Sequence, residues 1–162
     1  MSKQNTSTAT NHLSESRVLR EGYGPGAWHG ADMKAALGDV TAATAYWRPA
    51  AGRHNIAEIA VHHAYIVRGV RARVSGHEPK PFVLEGDDWF SLDSDRAMSW
   101  KRVQTIVAQE HDRLADLIEA IDTGAATSAL PDAERAELVL GITSHAVYHA
   151  GQIQLIKRLQ EA

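Results

Sequence analysis

The sequence predicts an all-α protein, a four-helix bundle, and three observations carry that prediction. Four stretches place apolar residues at spacings of three and four, the pattern of a helix that buries one face. Each stretch is much longer than a usual strand of about five or six residues. The chain has 162 residues, 44% of them hydrophobic, which is enough for the core of one domain and too little for two ordinary ones.

The chain is expected to begin with a flexible tail over residues 1–22, followed by the bundle domain over residues 23–162. Residues 1–16 contain ten Ser, Thr, Asn or Gln residues and can bury little apolar surface, so they favour a disordered segment. A cluster of turn-forming residues is then expected to exclude regular structure as far as Trp28: Gly22, Gly24, Pro25 and Gly26.

The first predicted helix runs from about Ala31 to Tyr46, and Pro49 and Gly52 end it. The second begins near Asn55, keeps its β-branched apolar residues at helical spacing, and ends at Ser75 and Gly76. These two predicted helices are therefore separated by a short turn.

The third predicted helix opens at the polar residues 93–95, which suit a helix N-terminus, and ends before Gly124. The fourth starts at Pro131, carries acidic residues in its first turn, and runs to about Leu159. Between the second and third lies a long crossover, residues 76–93, in which the aromatic residues Trp89 and Phe90 are expected to be exposed. Loops of this length are often functional, and a packed surface arm is the equally weighted alternative.

Composition excludes several classes of protein. The chain has no cysteine, which excludes disulfides, zinc–cysteine sites, iron–sulfur clusters and a catalytic thiol of its own. Its net charge of −3 and pI near 6.3 give no sign of nucleic-acid binding. No stretch is apolar enough for a membrane span or a signal peptide. We therefore expect a cytoplasmic protein without a nucleic-acid or membrane partner.

The histidines are the unusual feature of the composition, with nine in the chain. His145 and His149 lie four residues apart in the apolar stripe of the fourth predicted helix, so their rings point the same way about 6 Å apart. This spacing suits two ligands of one metal ion. The alternative is a pair of core histidines satisfied by ordinary hydrogen bonds, but the position within an apolar stripe favours a metal.

A third ligand is expected from the second predicted helix, where His62 and His63 are adjacent. Helical periodicity slightly favours His63 and does not settle the choice. The glutamates of zinc-protease and di-iron motifs are missing. Paired-histidine haem binding is a less economical account of three ligands, and a Ser-His-Asp hydrolase stays open although no nucleophile elbow is present.

Several segments resemble the DinB/YfiT-like metalloproteins over roughly residues 24–159. The second-helix motif of that family is similar to residues 56–62, Ile-Ala-Glu-Ile-Ala-Val-His, followed by Ala64. Its fourth-helix motif, a histidine pair followed by Gly-Gln, is similar to residues 144–153, Ser-His-Ala-Val-Tyr-His-Ala-Gly-Gln-Ile. Three shorter segments also resemble one branch of the family: residues 28–30, 89–90 and 110–114.

The resemblance implies a four-helix bundle with a long crossover between the second and third helices. It also implies a site for a divalent metal, zinc or nickel, with His62, His145 and His149 as ligands. His63 falls where relatives usually carry Leu or Ile, which leaves it to pack beside the metal or to support a ligand from behind.

The family resemblance further implies a small-molecule substrate and a homodimer. Its members include thiol-dependent S-transferases and isomerases that use a low-molecular-weight thiol, which makes metal-activated thiol transfer the leading expectation. The alternatives are a metal-dependent hydrolase and a non-catalytic metal-binding bundle of the stress response. Three residues are expected at the dimer contact: Trp47, Met98 and Trp100.

Two alternative roles are open for several other polar residues. Glu110 and Glu58 would either orient a ligand or a metal-bound water, or form ordinary ion pairs, and for Glu110 a pair with Arg113 is favoured. Gln152 is placed to hydrogen-bond a ligand or a substrate. His29 would cap the first helix or line the site. Four further histidines are expected to be solvated or to cap helices: His12, His54, His77 and His111. The solvent-exposed face of the second helix is expected to carry Arg68, Arg71 and Arg73.

Overall fold

The computed structural model describes residues 14–24, 28 and 30–161, and within them the fold is all-helical, as predicted. It contains six helices: α1 (Glu15–Tyr23), α2 (Met33–Gly38), α3 (Ala42–Tyr46), α4 (Ile56–Ser75), α5 (Trp100–Asp122) and α6 (Asp132–Glu161). Across this described part, no helix combines the length and apolar character that crossing a membrane requires.

Three long helices and two short ones build the bundle. The helix α4 packs against both α5 and α6, and α1 and α2 cover the remaining side against α6. One half of the core surrounds Met33 and Ile56, and the other half surrounds Leu19 and Leu114. The fourth wall of the bundle is therefore made of α1 and α2, and α1 comes from the segment where the sequence predicts a flexible tail.

The prediction of a single helix from Ala31 to Tyr46 is wrong. The helix α2 ends at Gly38, and α3 restarts after Thr41, whose side chain accepts a hydrogen bond from the Thr44 amide. The carbonyl of Val40, in the break, accepts the indole N–H of Trp100 at 2.7 Å. The break therefore anchors the first turn of α5, which an unbroken helix would leave without this acceptor.

The prediction of a flexible tail over residues 1–22 is wrong for residues 15–22, which lie in a helix. The helix α1 begins after Ser14, which caps it by accepting a hydrogen bond from the Arg17 amide. Leu19 is buried in the core, and Glu15 receives two hydrogen bonds from the Arg135 guanidinium on α6. An apolar face, the Glu15–Arg135 ion pair with α6 and the ion pairs of Arg20 with two carboxylates of α5 dock this short helix. Residues 1–13 lie outside the described part of the chain.

The crossover between α4 and α5 is a packed arm. Its residue Leu92 is buried, and its amide donates to the Glu58 carboxylate at 2.9 Å. Asn55 also donates to the Leu92 carbonyl at 2.7 Å. Asn55 and Glu58 cap the start of α4 at the same time. The same polar pair thus begins the helix that carries two of the histidines and fixes the arm that lies over them.

The predicted start of the third helix at residues 93–95 is wrong. The helix α5 begins at Trp100, where Ser99 is the N-cap and Asp95 accepts a hydrogen bond from the Trp100 amide at 2.7 Å. Of the two acidic residues that resemble an N-cap, Asp95 thus supports the first turn of α5 from five residues away, and Asp93 pairs with Arg48. Trp100 is buried, so it is not an exposed dimer-contact residue as expected. Trp47 and Met98 are half-buried, and the homodimer itself stays a prediction.

Candidate metal centre

Two helices bring three histidines to one point. His62 comes from α4, and His145 and His149 come from successive turns of α6. The Nε2 atom of His145 lies 3.1 Å from the Nε2 of His62 and 3.1 Å from the Nε2 of His149. All three ligand atoms fall within 4.8 Å of one another. We call these residues the histidine trio.

The opposite nitrogen of each ring in the trio has its own partner. The Nδ1 of His62 lies 3.0 Å from the backbone carbonyl of Asp88, which can only accept a hydrogen bond. The Nδ1 of His149 lies 2.6 Å from the Oε1 of Gln152. The amide nitrogen of Gln152 donates to the Tyr148 hydroxyl at 3.0 Å, and in this orientation the amide oxygen faces His149. His62 and His149 are therefore protonated at Nδ1.

These tautomers test whether a metal fits the trio. A neutral imidazole that carries its proton on Nδ1 has a lone pair on Nε2, so the lone pairs of His62 and His149 face the same space as the Nε2 of His145. Neutral nitrogens that converge in this way suit a divalent metal ion as their common partner. Tetrahedral zinc with three imidazoles separates the ligand nitrogens by roughly 3.3 Å, close to the 3.1 Å that separates His145 from each of the other two.

Burial keeps the two rings of α6 neutral. His149 is buried and His145 is half-buried. Removal from water lowers the pKa of His145 to about 4, and the neighbouring His149 and His62 lower it further in the same direction. Burial also lowers the pKa of His149, against the opposing effect of its hydrogen bond to Gln152. His145 and His149 thus present unprotonated nitrogens near neutral pH, as metal ligation requires.

His63 lies behind the trio, on the far side of His145. It is fully buried, and its Nδ1 lies 3.0 Å from the Nδ1 of His145. Its Nε2 has no hydrogen-bond partner among the described residues. Removal from water lowers the pKa of His63 well below its ordinary value. Helical periodicity did not decide which of the two adjacent histidines faces the site. In the structure His62 faces the other Nε2 atoms of the trio, and His63 contacts the opposite side of the His145 ring.

The crossover arm covers the His62 side of the trio. The Trp89 ring stacks on His62 at a centroid distance of 4.0 Å and on His54 at 3.8 Å, so it lies between the two imidazoles. Asp88, which precedes it, has a φ of 64° in the left-handed region and presents its carbonyl to His62. The sequence points to Trp89 as an aromatic in a long loop. It gives no signal for Asp88, which contacts the Nδ1 of His62 through both its backbone carbonyl and its carboxylate, each at 3.0 Å.

Two carboxylates that were possible contacts of the metal lie elsewhere. Glu58 pairs with Arg48 and with His54 at the start of α4. Glu110 pairs with Arg71 at 3.1 Å and with Arg113 at 2.6 Å. For both residues the ordinary ion-pair reading is therefore the observed one.

Of the other polar residues considered from the sequence, Gln152 lies as predicted and His111 does not. Gln152 does hydrogen-bond a ring of the trio, as one of its readings required. His111, expected to be solvated, is buried and stacks on Tyr23 at a centroid distance of 4.0 Å. His29 and His12 lie outside the described residues.

A largely apolar cavity of about 490 Å³ opens beside the trio. His149 and Gln152 lie on its wall next to Trp89, so the cavity reaches the edge of the site. The remaining wall comes mainly from α6 and the turn before α4: Tyr148, Leu155, Ile156, Leu159, Pro49, Ala50, Arg53, His54 and Ile59. Its volume is in the range of small-molecule sites in proteins.

Two helices of the bundle bring three imidazoles to one point. The fold and this site together define the class of helical-bundle proteins with a histidine cluster able to hold a metal. The particular family follows from comparison with known proteins. A model of the DinB superfamily matches residues 27–153. The chain therefore belongs to the DinB superfamily. No curated protein and no solved structure gives a significant match to it.

Proposed function

We propose that this protein is a metal-dependent enzyme that transfers a low-molecular-weight thiol to an electrophilic substrate. The observation that carries the proposal is the histidine trio itself. Among the described residues, the group able to hold a metal at this place has three members, and Glu58 and Glu110 are engaged elsewhere. Three protein ligands leave a coordination position for a reactant, which is the arrangement of catalytic rather than structural zinc sites.

The absence of cysteine shapes the proposed chemistry. The chain offers no sulfur nucleophile of its own, so the thiol comes from solution. A bound zinc or nickel ion supplies Lewis acidity that favours the thiolate form of a thiol. In the overall reaction the S–H bond of the thiol breaks and a sulfur–carbon bond forms. The proton and the leaving group of the substrate depart to water.

The cavity beside the trio supports an apolar electrophile as the second reactant. Its wall is rich in aliphatic and aromatic groups, including Leu155, Ile156 and Trp89, while His149 and Gln152 supply its polar edge. An apolar substrate seated there is desolvated next to the reacting sulfur. The side chains of this wall would position the substrate and exclude water from the thiol.

The experiment exploits the missing cysteine. Protein loaded with Co²⁺ is titrated with N-acetylcysteine, and the near-ultraviolet region is followed for sulfur-to-cobalt charge transfer. Because the chain contains no cysteine, such a band can come only from the added thiol. We expect it to appear and to saturate at about one thiol per metal.

Two controls separate this proposal from its alternatives. N-acetyl-S-methylcysteine has no thiol to ionise, so we expect no band from it, and the His149→Ala variant should lose the band with the metal. A loaded protein that gives no band with any thiol but hydrolyses activated esters would instead be a metal-dependent hydrolase. A loaded protein that does neither would be a non-catalytic metal-binding bundle.

A further inference from the structure

A second concave site lies away from the histidine trio, between the second half of α4, the first half of α5 and residues 77–83 of the crossover. It is a groove of about 520 Å³, which we call the basic groove. It is lined by five permanent cations from three segments of the chain: Arg68, Arg71, Lys80, Arg102 and Arg113. The two carboxylates on its wall are Glu78 and Glu110.

One of these carboxylates is already neutralised. Glu110 is buried and accepts hydrogen bonds from Arg71 at 3.1 Å and from Arg113 at 2.6 Å. Two guanidinium groups thus share one carboxylate, which leaves an excess of positive charge beside it. The Nε of Arg71 also lies buried without an acceptor among the described residues. Glu110 therefore positions the two arginines and offsets only one of their two positive charges.

Arg68 is held in place without being neutralised at all. Its guanidinium donates from Nε to the backbone carbonyl of Lys80 at 3.0 Å, and from Nη2 to the same carbonyl. The group also lies over the rings of Tyr65 and Phe82, at 5.7 and 5.6 Å from their centroids. A neutral acceptor and two aromatic faces fix the geometry of this cation, so its charge remains available in the groove.

The charge balance of the groove is opposite to that of the whole protein. Five cations face two carboxylates, while the chain carries a formal net charge of −3. Bringing like charges together in a concave site is unfavourable, and a bound anion removes that cost. Guanidinium groups bind phosphate oxygens through paired hydrogen bonds, and the groove is larger than one phosphate group.

We propose that the basic groove is a binding site for a small phosphate monoester. Glycerol 3-phosphate is a suitable probe because it carries a dianionic phosphate on a small polar body and competes weakly for metals. Its binding to the metal-loaded protein is measured by isothermal titration calorimetry at fixed ionic strength, with acetate as the monoanionic comparison. We expect glycerol 3-phosphate to bind at least about tenfold more tightly than acetate.

The variants test the location of binding. Arg102 and Lys80 are exposed on the groove wall and form no ion pair among the residues that the structure describes, so the Arg102→Gln/Lys80→Gln double variant should fold normally. We expect it to weaken glycerol 3-phosphate binding by about tenfold or more. Arg73→Gln is the matched control because Arg73 is an exposed arginine of α4 outside the groove, and it should leave the affinity unchanged.

Other outcomes would overturn the proposal. An equal loss of affinity in Arg73→Gln would mean a diffuse effect of charge. Binding abolished by His149→Ala but retained by the groove variant would place the phosphate at the histidine trio. Glycerol 3-phosphate no tighter than acetate, with or without binding to vesicles that contain phosphatidic acid, would exclude a site for small phosphate monoesters. None of these results bears on the thiol-transfer proposal, because that proposal is tested by the cobalt charge-transfer band.

Discussion

The Nδ1 atoms of His63 and His145 lie 3.0 Å apart, so a single proton serves both nitrogens. If His145 ligates a metal through Nε2 as a neutral ring, its Nδ1 carries that proton and donates it to His63. His63 then accepts at Nδ1 and keeps its own proton on Nε2, the atom that lacks a partner among the described residues. A buried imidazole thus fixes the tautomer of the ring in front of it, at the cost of one unsatisfied donor.

Loss of either α6 histidine should abolish metal binding. We expect the purified protein to carry about one divalent transition metal per chain, and His145→Ala or His149→Ala to lose it, because two ligands hold such an ion far less tightly than three. Metal content is measured by elemental analysis. His77→Ala, an exposed histidine outside the trio, serves as the control. Full occupancy in both trio variants would contradict the site.

The adjacent pair on α4 should respond differently to substitution. His62→Ala removes a proposed ligand, so we expect the metal to be lost in a mild chelator wash. His63→Leu removes the acceptor behind His145 and keeps all three Nε2 atoms, so we expect the metal to be retained with an affinity about 10-fold lower. The two variants are compared by metal content after the same wash. The reverse order would make His63 the ligand, as helical periodicity alone favours.

Gln152 should support metal binding without touching the metal. Its Oε1 holds the Nδ1 proton of His149 at 2.6 Å, and Gln152→Leu removes that acceptor. Loss of such an outer hydrogen bond typically lowers metal affinity by about 10- to 100-fold. A competition titration with a chromophoric chelator measures it. Gln154→Leu, on the same helix but turned away by two residues, is the matched control, and an equal loss there would indicate a general effect on α6.

Stability should depend on pH through His111. Burial lowers the pKa of this residue to about 4, and the charge of Arg20 acts in the same direction. In the unfolded chain the ordinary value is about 6.5, so between these values the unfolded state binds a proton that the folded state does not. The free energy of unfolding should therefore fall as the pH is lowered through this window, by up to about 1.4 kcal/mol per pH unit.

The variant His111→Gln isolates this contribution. Its free energy of unfolding, measured by urea denaturation at pH 7, 6 and 5, should fall less steeply with decreasing pH than that of the wild type. The other histidines titrate in both proteins, so their effects cancel in the difference. Parallel curves would show that His111 accepts a proton equally well in the folded state.

The sequence predicted those parts of the fold that depend on local patterns of residues. It did not predict the parts that depend on contacts between distant segments. The long amphipathic stretches predict α4, α5 and α6, because helical periodicity is a local property. The separation of α2 from α3 depends on a carbonyl offered to Trp100, sixty residues away from Val40. Docking of α1 depends on Arg135, at the opposite end of the chain. Neither contact is visible in a local window.

The candidate site shows the same division. The i, i+4 spacing of His145 and His149 places two rings on one face of a helix, which follows from geometry alone. The choice between His62 and His63 required the family resemblance, because both residues fall inside the buried surface of α4. The carbonyl of Asp88 was beyond prediction, since it is a backbone group placed by the path of the crossover. Metal binding by the trio itself stays a prediction.

The stack of His54, Trp89 and His62 predicts that the crossover arm responds to a metal ion bound at the histidine trio. Trp89 and the Asp88 carbonyl both contact His62, so an ion that immobilises this imidazole also holds the arm against the bundle. Linkage is reciprocal. The factor by which the ion favours the arm packed against the bundle equals the factor by which the packed arm raises the affinity for the ion. Amide hydrogen exchange in residues 87–93 should therefore report metal occupancy from outside the coordination sphere.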